Sequence, residues 1–231
     1  QYHLHERMRT QDTGSSHWTD GRWQVLQAEF GDEIAQAFRD GVVAYWRRYR
    51  PRLRSEGKTH NKTPFGVIFG LTGLSIEARE TVNWASTLSE DEAEIAFRYA
   101  MDELNGFPDW LPSLFSAFPD VIVKLLLREV DHDLRIEKVK VESHYILSDL
   151  SWSGSWALPG IGEGIFARLK AREPKNLTNL GYMLNIVHDA GVSAEDIAQL
   201  AEERSADRRL AHAARWYAVW AGTEPDKAIP A

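Results

Sequence analysis

The stretch FPDWLPSLFSAFPDVIVKLLLREV, residues 107–130, decides the predicted fold class. It contains two Phe-Pro steps, and each is followed by apolar residues at the three- and four-residue spacing of a helix. Proline suits the first turn of a helix, where its missing amide donor has no partner to lose. The stretch therefore predicts one short helix from Asp109 and a second from Pro119 to about Val130, almost directly joined.

Helical spacing continues along most of the chain, divided by residues that start and stop helices. Ser89 and Glu92 form a capping-box signature, whereas Pro51 is expected to end a helix and Pro174 to open one. Only the segment 134–142 alternates in the manner of a strand, and without a partner strand it is predicted to be a loop. The pattern predicts an all-α chain of about ten helices.

A loose repeat suggests how these helices are arranged. The Leu-Pro pair at 111–112 recurs at 158–159, and Pro108-Asp109 with its following Leu-Pro recurs in part at 225–230. A period between forty and fifty residues is typical of HEAT or armadillo repeats, in which helix pairs stack because a single pair cannot bury both apolar faces. We predict a HEAT- or armadillo-like stack of antiparallel helix pairs, an α-solenoid. The alternative is chance recurrence of common helix starts.

Composition places the chain among globular proteins. Of its 231 residues, 43% are hydrophobic and 26% are charged. It contains no cysteine, which excludes disulfides, thiol catalysis and cysteine metal sites and fits a reducing cytoplasm. No run approaches the roughly 18 apolar residues of a membrane helix. A cytoplasmic location without membrane partners is therefore expected.

The ends of the sequence predict its domain organisation. Residues 1–20 are polar without a sustained period and are assigned to a flexible or preceding-helix segment, and residues 21–231 to one helical-repeat domain. The chain starts at Gln1 rather than Met, and a new helix is expected to begin at Pro225, close to its end. We expect the sequence to be part of a longer protein.

Four stretches carry a family resemblance: IFGLTGLSIEARE (68–80), ELNGFPDWLPSL (103–114), HYILSDLSW (144–152) and NLTNLGYMLNIV (176–187). They resemble the C-terminal helical region of large bacterial proteins whose N-terminal part is a NACHT- or STAND-type NTPase, many of which look like anti-phage sensors. The resemblance covers about residues 20–231. It implies a helical scaffold that senses a ligand or supports assembly in bacterial defence, with nucleotide chemistry elsewhere in the parent chain.

One motif fits an enzyme instead. His188 and Asp189, near a predicted helix end, look like the His-Asp metal ligands of HD-type phosphohydrolases, with His144 and Asp207 as the nearest candidates to complete the set. Imidazole and carboxylate ligands would suit a divalent metal that holds an attacking water. The alternative is a solvated helix end before the capping Gly191.

The sequence argues against a phosphate-binding loop. Gly57-Lys58-Thr59 matches the end of the P-loop signature. That signature also needs a glycine five positions before Gly57, where this chain has Arg52, and a preceding strand. Lys58 is therefore not predicted to bind nucleotide phosphates in this way.

Residues 47–62, hereafter the basic segment, form the most basic stretch of a chain whose formal net charge is −7. They contain seven Lys or Arg side chains and a single acidic residue, Glu56. Guanidinium groups suit carboxylates and phosphates. The alternative is that these basic side chains pair with acidic neighbouring helices around residues 90–94. The nearby aromatic residues Tyr45, Trp46 and Tyr49 also fit core positions. The candidate binding residues are Arg47, Arg48, Arg50, Arg52, Arg54 and Lys58.

The sequence thus predicts a non-catalytic helical-repeat module that binds and acts as a scaffold within a larger cytosolic protein. Its expected partner is a protein or the rest of its own chain, or an acidic or phosphate-bearing ligand, and no cofactor is expected. An HD-like metal-dependent phosphohydrolase is the alternative.

Overall fold

The computed structural model describes residues 2–11, 18, 21–58, 62–104, 106–141, 145–206 and 209–229. In this part of the chain there is no strand, and an isolated antiparallel bridge joins Lys138 and Val141. The all-α prediction is confirmed. The α-helices are α1 Tyr2–Thr10, α2 Gln27–Phe30, α3 Asp32–Trp46, α4 Phe65–Glu80, α5 Glu90–Ala100, α6 Leu111–Ala117, α7 Pro119–Ile136, α8 Ile146–Ser153, α9 Leu158–Ala171, α10 Leu177–Asp189, α11 Ala194–Ser205, α12 Leu210–Thr223 and α13 Pro225–Ala228, with short 3-10 helices at Trp23–Leu26, Arg54–Glu56 and Trp84–Thr87.

Of the two helix starts predicted in the opening stretch, the one at Pro119 is confirmed, whereas the first helix begins at Leu111 rather than at Asp109. Phe118 alone separates α6 from α7. Pro112 and Pro159, the prolines of the two Leu-Pro pairs, each lie in the first turn of a helix, α6 and α9 respectively. Ser89 caps α5 as predicted, because its hydroxyl accepts from the Glu92 amide at 3.3 Å and its own amide donates to the Glu92 carboxylate at 2.9 Å.

Three predicted boundaries are corrected. The segment 134–142 is not all loop, because α7 continues to Ile136. Leu134 extends the four-residue spacing of the buried Ile122, Leu126 and Val130, which keeps this part of the chain helical. Helix α3 ends at Trp46, before Pro51, and the Tyr49 carbonyl accepts from the Tyr99 hydroxyl at 3.0 Å. Helix α10 begins at Leu177 rather than at Pro174, because the Asn176 side chain caps its amides.

The chain divides into two compact units, residues 1–125 and 126–231. The division falls inside α7, whereas the sequence predicted one helical domain over residues 21–231. Each unit has its own buried core. None of the described helices has the length and apolar character needed to cross a membrane.

The first unit is built on the close crossing of α3 and α4. Helix α4 carries glycines at 66, 70 and 73, spaced as i, i+4 and i+7. A Cβ at each would meet, in turn, the Tyr45 side chain, the Tyr99 ring and the Val42 backbone. Bare backbone on this face therefore lets neighbouring elements approach α4 more closely than side chains would allow.

Helix α1 takes the helical option predicted for residues 1–20. Met8 is fully buried in a core cluster with Phe38, Val42 and other apolar residues. His5 is 1% exposed and packs edge-on against Phe65 and Phe69, with ring centroids 5.7 and 5.9 Å away. Burial lowers the pKa of His5, with a smaller opposing effect from Glu6 on the same helix.

His5 should make stability depend on pH. The unfolded chain binds a proton at His5 below its ordinary pKa of 6.5, but the folded chain does not until lower pH, so stability falls as pH drops through 6.5. The loss should approach about 1.4 kcal/mol per pH unit. Denaturant unfolding at several pH values should show a flatter dependence for His5→Phe. His188→Ala, which changes a side chain that is 81% exposed, should keep the wild-type dependence.

The second unit packs helices that are neighbours in sequence. Helix α9 lies against α10, and α11 against α12. The buried Glu173 accepts a hydrogen bond from the Trp216 indole and pairs with Arg209, which ties the loop after α9 to α12. Asn176 donates to the carbonyls of Lys138 and Val141 at 2.7 and 3.0 Å. Hydrogen bonds and an ion pair from polar side chains thus hold the loops of this unit in place.

Candidate binding groove and the basic segment

The basic segment lies between α3 and α4, and its described part is residues 47–58 and 62. Arg47 donates to Glu77 of α4 at 2.6 and 2.7 Å and to Glu92 of α5 at 2.7 Å. The hydrogen bonds to Glu77 are the main reason that the pKa of Arg47 is raised. Arg50 donates to Glu94 of α5 at 2.5 Å. These two arginines are ion-paired with acidic helices, as the second interpretation of the basic segment predicts.

Lys58 pairs with a buried carboxylate. Its ammonium contacts Asp102, whose side chain is 1% exposed. Burial raises the pKa of Asp102, and the neighbouring charge of Lys58 opposes that rise. The second carboxylate oxygen, Oδ2, is buried without a hydrogen-bond donor among the described residues. The Lys58 charge therefore offsets part of the cost of burying this carboxylate.

Arg98 is the residue that sequence reasoning missed. Its side chain is 6% exposed, and its guanidinium binds both oxygens of Glu56 at 2.6 and 2.8 Å and the Pro51 carbonyl at 3.1 Å. It also donates to Glu94, four residues earlier on α5, at 2.8 Å. Arg98 thus clamps the basic segment onto α5. No sequence signal identified Arg98, because its partner Glu56 lies 42 positions earlier and has several basic residues closer in the chain.

The remaining candidates differ in their surroundings. Arg48 and Arg52 are exposed, and no carboxylate pairs with either among the residues the structure describes. Arg54 is half-buried, close enough to Asp102 for its charge to act on that carboxyl. Tyr45 and Tyr49 are half-buried and stack on each other, and Trp46 is fully buried. Binding of a partner by the basic segment stays a prediction.

The proposed metal ligands are only partly described. His188 Nδ1 lies 2.9 Å from Asp189 Oδ1 at the end of α10, and the two side chains are 81% and 59% exposed. His144 and Asp207 lie outside the described residues. Within the described ranges, no three His, Asp or Glu side chains form a group that could hold a metal ion.

A groove of about 750 Å³ in the first unit is the clearest concave site. Its walls come from α4 between Leu71 and Arg79, from the turn at 81–86, and from residues 103–117 through α6. Small side chains line it on both helices, namely Ser75 and Ala78 on α4 and Ser113, Ser116 and Ala117 on α6. The uncharged polar side chains that line it are Ser75, Thr81, Asn83, Ser86, Ser113 and Ser116.

Two tryptophans lie side by side in the groove lining. Trp84 and Trp110 are 3% and 7% exposed, and their rings meet edge to face at 5.6 Å. Neither indole nitrogen has a hydrogen-bond acceptor within the described part of the chain. Asn83, just before Trp84, has φ +54°, a left-handed conformation that asparagine tolerates better than most residues. Strained backbone of this kind is found disproportionately at binding sites.

Two exposed apolar side chains are sequence neighbours of residues that line the groove. Val82 lies between two lining residues and is 85% exposed. Leu104 follows the lining residue Glu103 and is 58% exposed. The charged lining residues are Arg79, Glu103 and Asp109, so both signs are present. A polar groove is thus combined with exposed apolar side chains that are next in the chain to its lining residues.

No protein-family model matches the chain, and neither the curated proteins nor the solved structures include a significant match. The resemblance to the helical regions of NACHT- or STAND-type proteins accordingly stays a prediction.

Proposed function

We propose that the chain is a non-catalytic helical module that binds a polypeptide segment in the groove of its first unit. The observation that carries the proposal is the combination of a polar groove with the exposed Val82 and Leu104, each next in the chain to a lining residue. The segment belongs to a partner protein or to another part of the parent chain.

The chemistry of the lining favours a polypeptide over a small solute. Serine, threonine and asparagine side chains can donate to and accept from the main-chain amides and carbonyls of an extended segment. Val82 and Leu104 would lose exposed apolar surface only if the occupant extends beyond the groove. Arg79 and Asp109, of opposite charge, would favour a segment with charges of both signs.

The wider context is part of the same proposal. The helices form a HEAT- or armadillo-like stack in a larger cytosolic bacterial protein, as the sensing or scaffold part of a NACHT- or STAND-type NTPase. This is supported by the all-helical fold, by helix pairs such as α11 and α12, and by the Leu-Pro starts of α6 and α9. The chemistry of such a parent lies outside these residues.

Selection of displayed random peptides on the purified chain tests this function. Enriched peptides should share a pattern and bind the wild-type chain with a measurable Kd. Ser116→Phe should weaken that binding at least about tenfold, or 1.4 kcal/mol, because the phenyl ring fills the groove.

The chain offers a matched control in Ser153→Phe. Ser116 and Ser153 are both exposed, and each hydroxyl donates at 3.0 Å to the carbonyl four residues earlier. Only Ser116 lines the groove. Peptides that bind Ser116→Phe as tightly as the wild type, or an absence of any enriched peptide, would contradict the proposal.

A further inference from the structure

The basic segment and the groove meet at one short part of the chain. Asp102 pairs with Lys58 of the basic segment. The next residue, Glu103, lines the groove, and Leu104 follows it as an exposed apolar side chain. A change in the position of Asp102 is therefore passed through one or two peptide units to the groove wall.

Contacts from several elements hold Asp102 in place. Besides Lys58, the Thr63 hydroxyl lies 3.4 Å from its carboxylate, and the Trp18 indole donates to its backbone carbonyl at 3.0 Å. Just before it, Arg98 and Tyr99 bind the basic segment through Glu56, Pro51 and Tyr49. The end of α5 is thus braced by residues 49–58.

We propose that Lys58 is a positioning residue for the groove: its ammonium neutralises Asp102 in its buried site and so fixes the wall that begins at Glu103. This inference rests on the proposed function. It also gives the basic segment a role, as a brace behind the binding site rather than as its surface.

The physical reason is the cost of an unpaired buried charge. The Asp102 side chain is 1% exposed, and one of its oxygens already lacks a donor among the described residues. Without the Lys58 charge, the carboxylate either takes up a proton or moves toward water, because a buried unpaired carboxylate is strongly disfavoured. That movement would take Glu103 and Leu104 with it and alter the groove.

Peptide binding by Lys58 variants tests the inference, using a peptide that the wild-type chain binds and Ser116→Phe does not. Measured well below the Tm of each variant, Lys58→Met should weaken binding at least about tenfold. Lys58→Met combined with Asp102→Asn should restore binding to within about threefold of wild type, because no buried charge remains. A merely structural role would lower the Tm of both variants without this rescue of affinity.

Lys227→Met is the matched control, since it removes the ammonium of another lysine–carboxylate pair, with Glu224 in the second unit, and should leave affinity unchanged. If Lys58→Met does not fold, Lys58→Gln replaces it, and an intermediate loss is expected. Wild-type affinity in a folded Lys58→Met or Lys58→Gln variant would overturn the inference. So would a double variant whose affinity is not restored. Either result leaves the proposed function intact. Failure of the wild-type chain to bind any selected peptide overturns both.

Discussion

Replacing Gly73 with alanine should destabilise the chain by about 3 kcal/mol or more, as expected for overpacking against atoms that cannot rotate away. The added Cβ would lie 2.7 Å from the Val42 carbonyl carbon and closer still to its oxygen. Both belong to the backbone of α3, so relief requires the two helices to separate. Denaturant unfolding of the purified variant measures the effect.

Gly181→Ala is the matched control. Gly181 lies inside α10, and nothing lies within 4 Å of the position its Cβ would take. Alanine should stabilise this helix by roughly 0.5–1 kcal/mol, because glycine loses more conformational freedom on folding. Equal effects of the two substitutions would show that α3 and α4 do not cross as described.

Arg98→Ala should cost about 3 kcal/mol, near the lower end expected when one partner of a buried ion pair is removed. The Arg98 side chain is 6% exposed, whereas Glu56 is 32% exposed and can recover some solvation, which limits the loss. Arg98→Lys should recover little of it, because an ammonium cannot bind both Glu56 oxygens and Glu94 with the geometry of the guanidinium fork. Thermal or denaturant unfolding measures both variants.

Arg50→Ala provides the comparison, since Arg50 and Arg98 donate to the same oxygen of Glu94. Arg50 is 48% exposed, and exposed pairs are worth at most about 1 kcal/mol. A loss for Arg50→Ala as large as that for Arg98→Ala would contradict the clamp at Glu56. Together the two variants separate the anchored part of the basic segment from its exposed part.

Helix starts were predictable because their signals are local. The Leu-Pro pairs at 111–112 and 158–159 and the capping box at Ser89 act within one turn, and each lies at a helix start in the structure. Helix ends were less predictable. Helix α3 ends at Trp46, before Pro51, and the Tyr49 carbonyl after it accepts from the hydroxyl of Tyr99, fifty residues later.

The glycine face of α4 shows a different limit. Helix propensity counts Gly66, Gly70 and Gly73 as weak positions, yet all three lie within α4. Their i, i+4, i+7 spacing was a readable sign of close helix crossing. The neighbours that approach this face, Val42 and Tyr99, depend on the tertiary fold and cannot be read from the spacing.

The basic segment was visible as a run of charge, but its partners were not. Pairing with the acidic start of α5 was one predicted alternative, and Arg47 and Arg50 do pair with carboxylates there. The Lys58–Asp102 pair and the Arg98 clamp join residues more than forty positions apart. The groove could not be predicted, because its lining joins residues of α4 and α6, such as Ser75 and Ser116, that are far apart in the sequence.

Hydrogen–deuterium exchange of the chain with and without a selected peptide tests the central claim most directly. Binding in the groove should slow amide exchange in two separate regions, residues 75–86 and 103–117, and should leave the second unit unchanged. Ser153→Phe should keep this pattern, and Ser116→Phe should lose it. Protection confined to residues 47–58 or to the second unit, with exchange in both groove regions unchanged, would contradict the account.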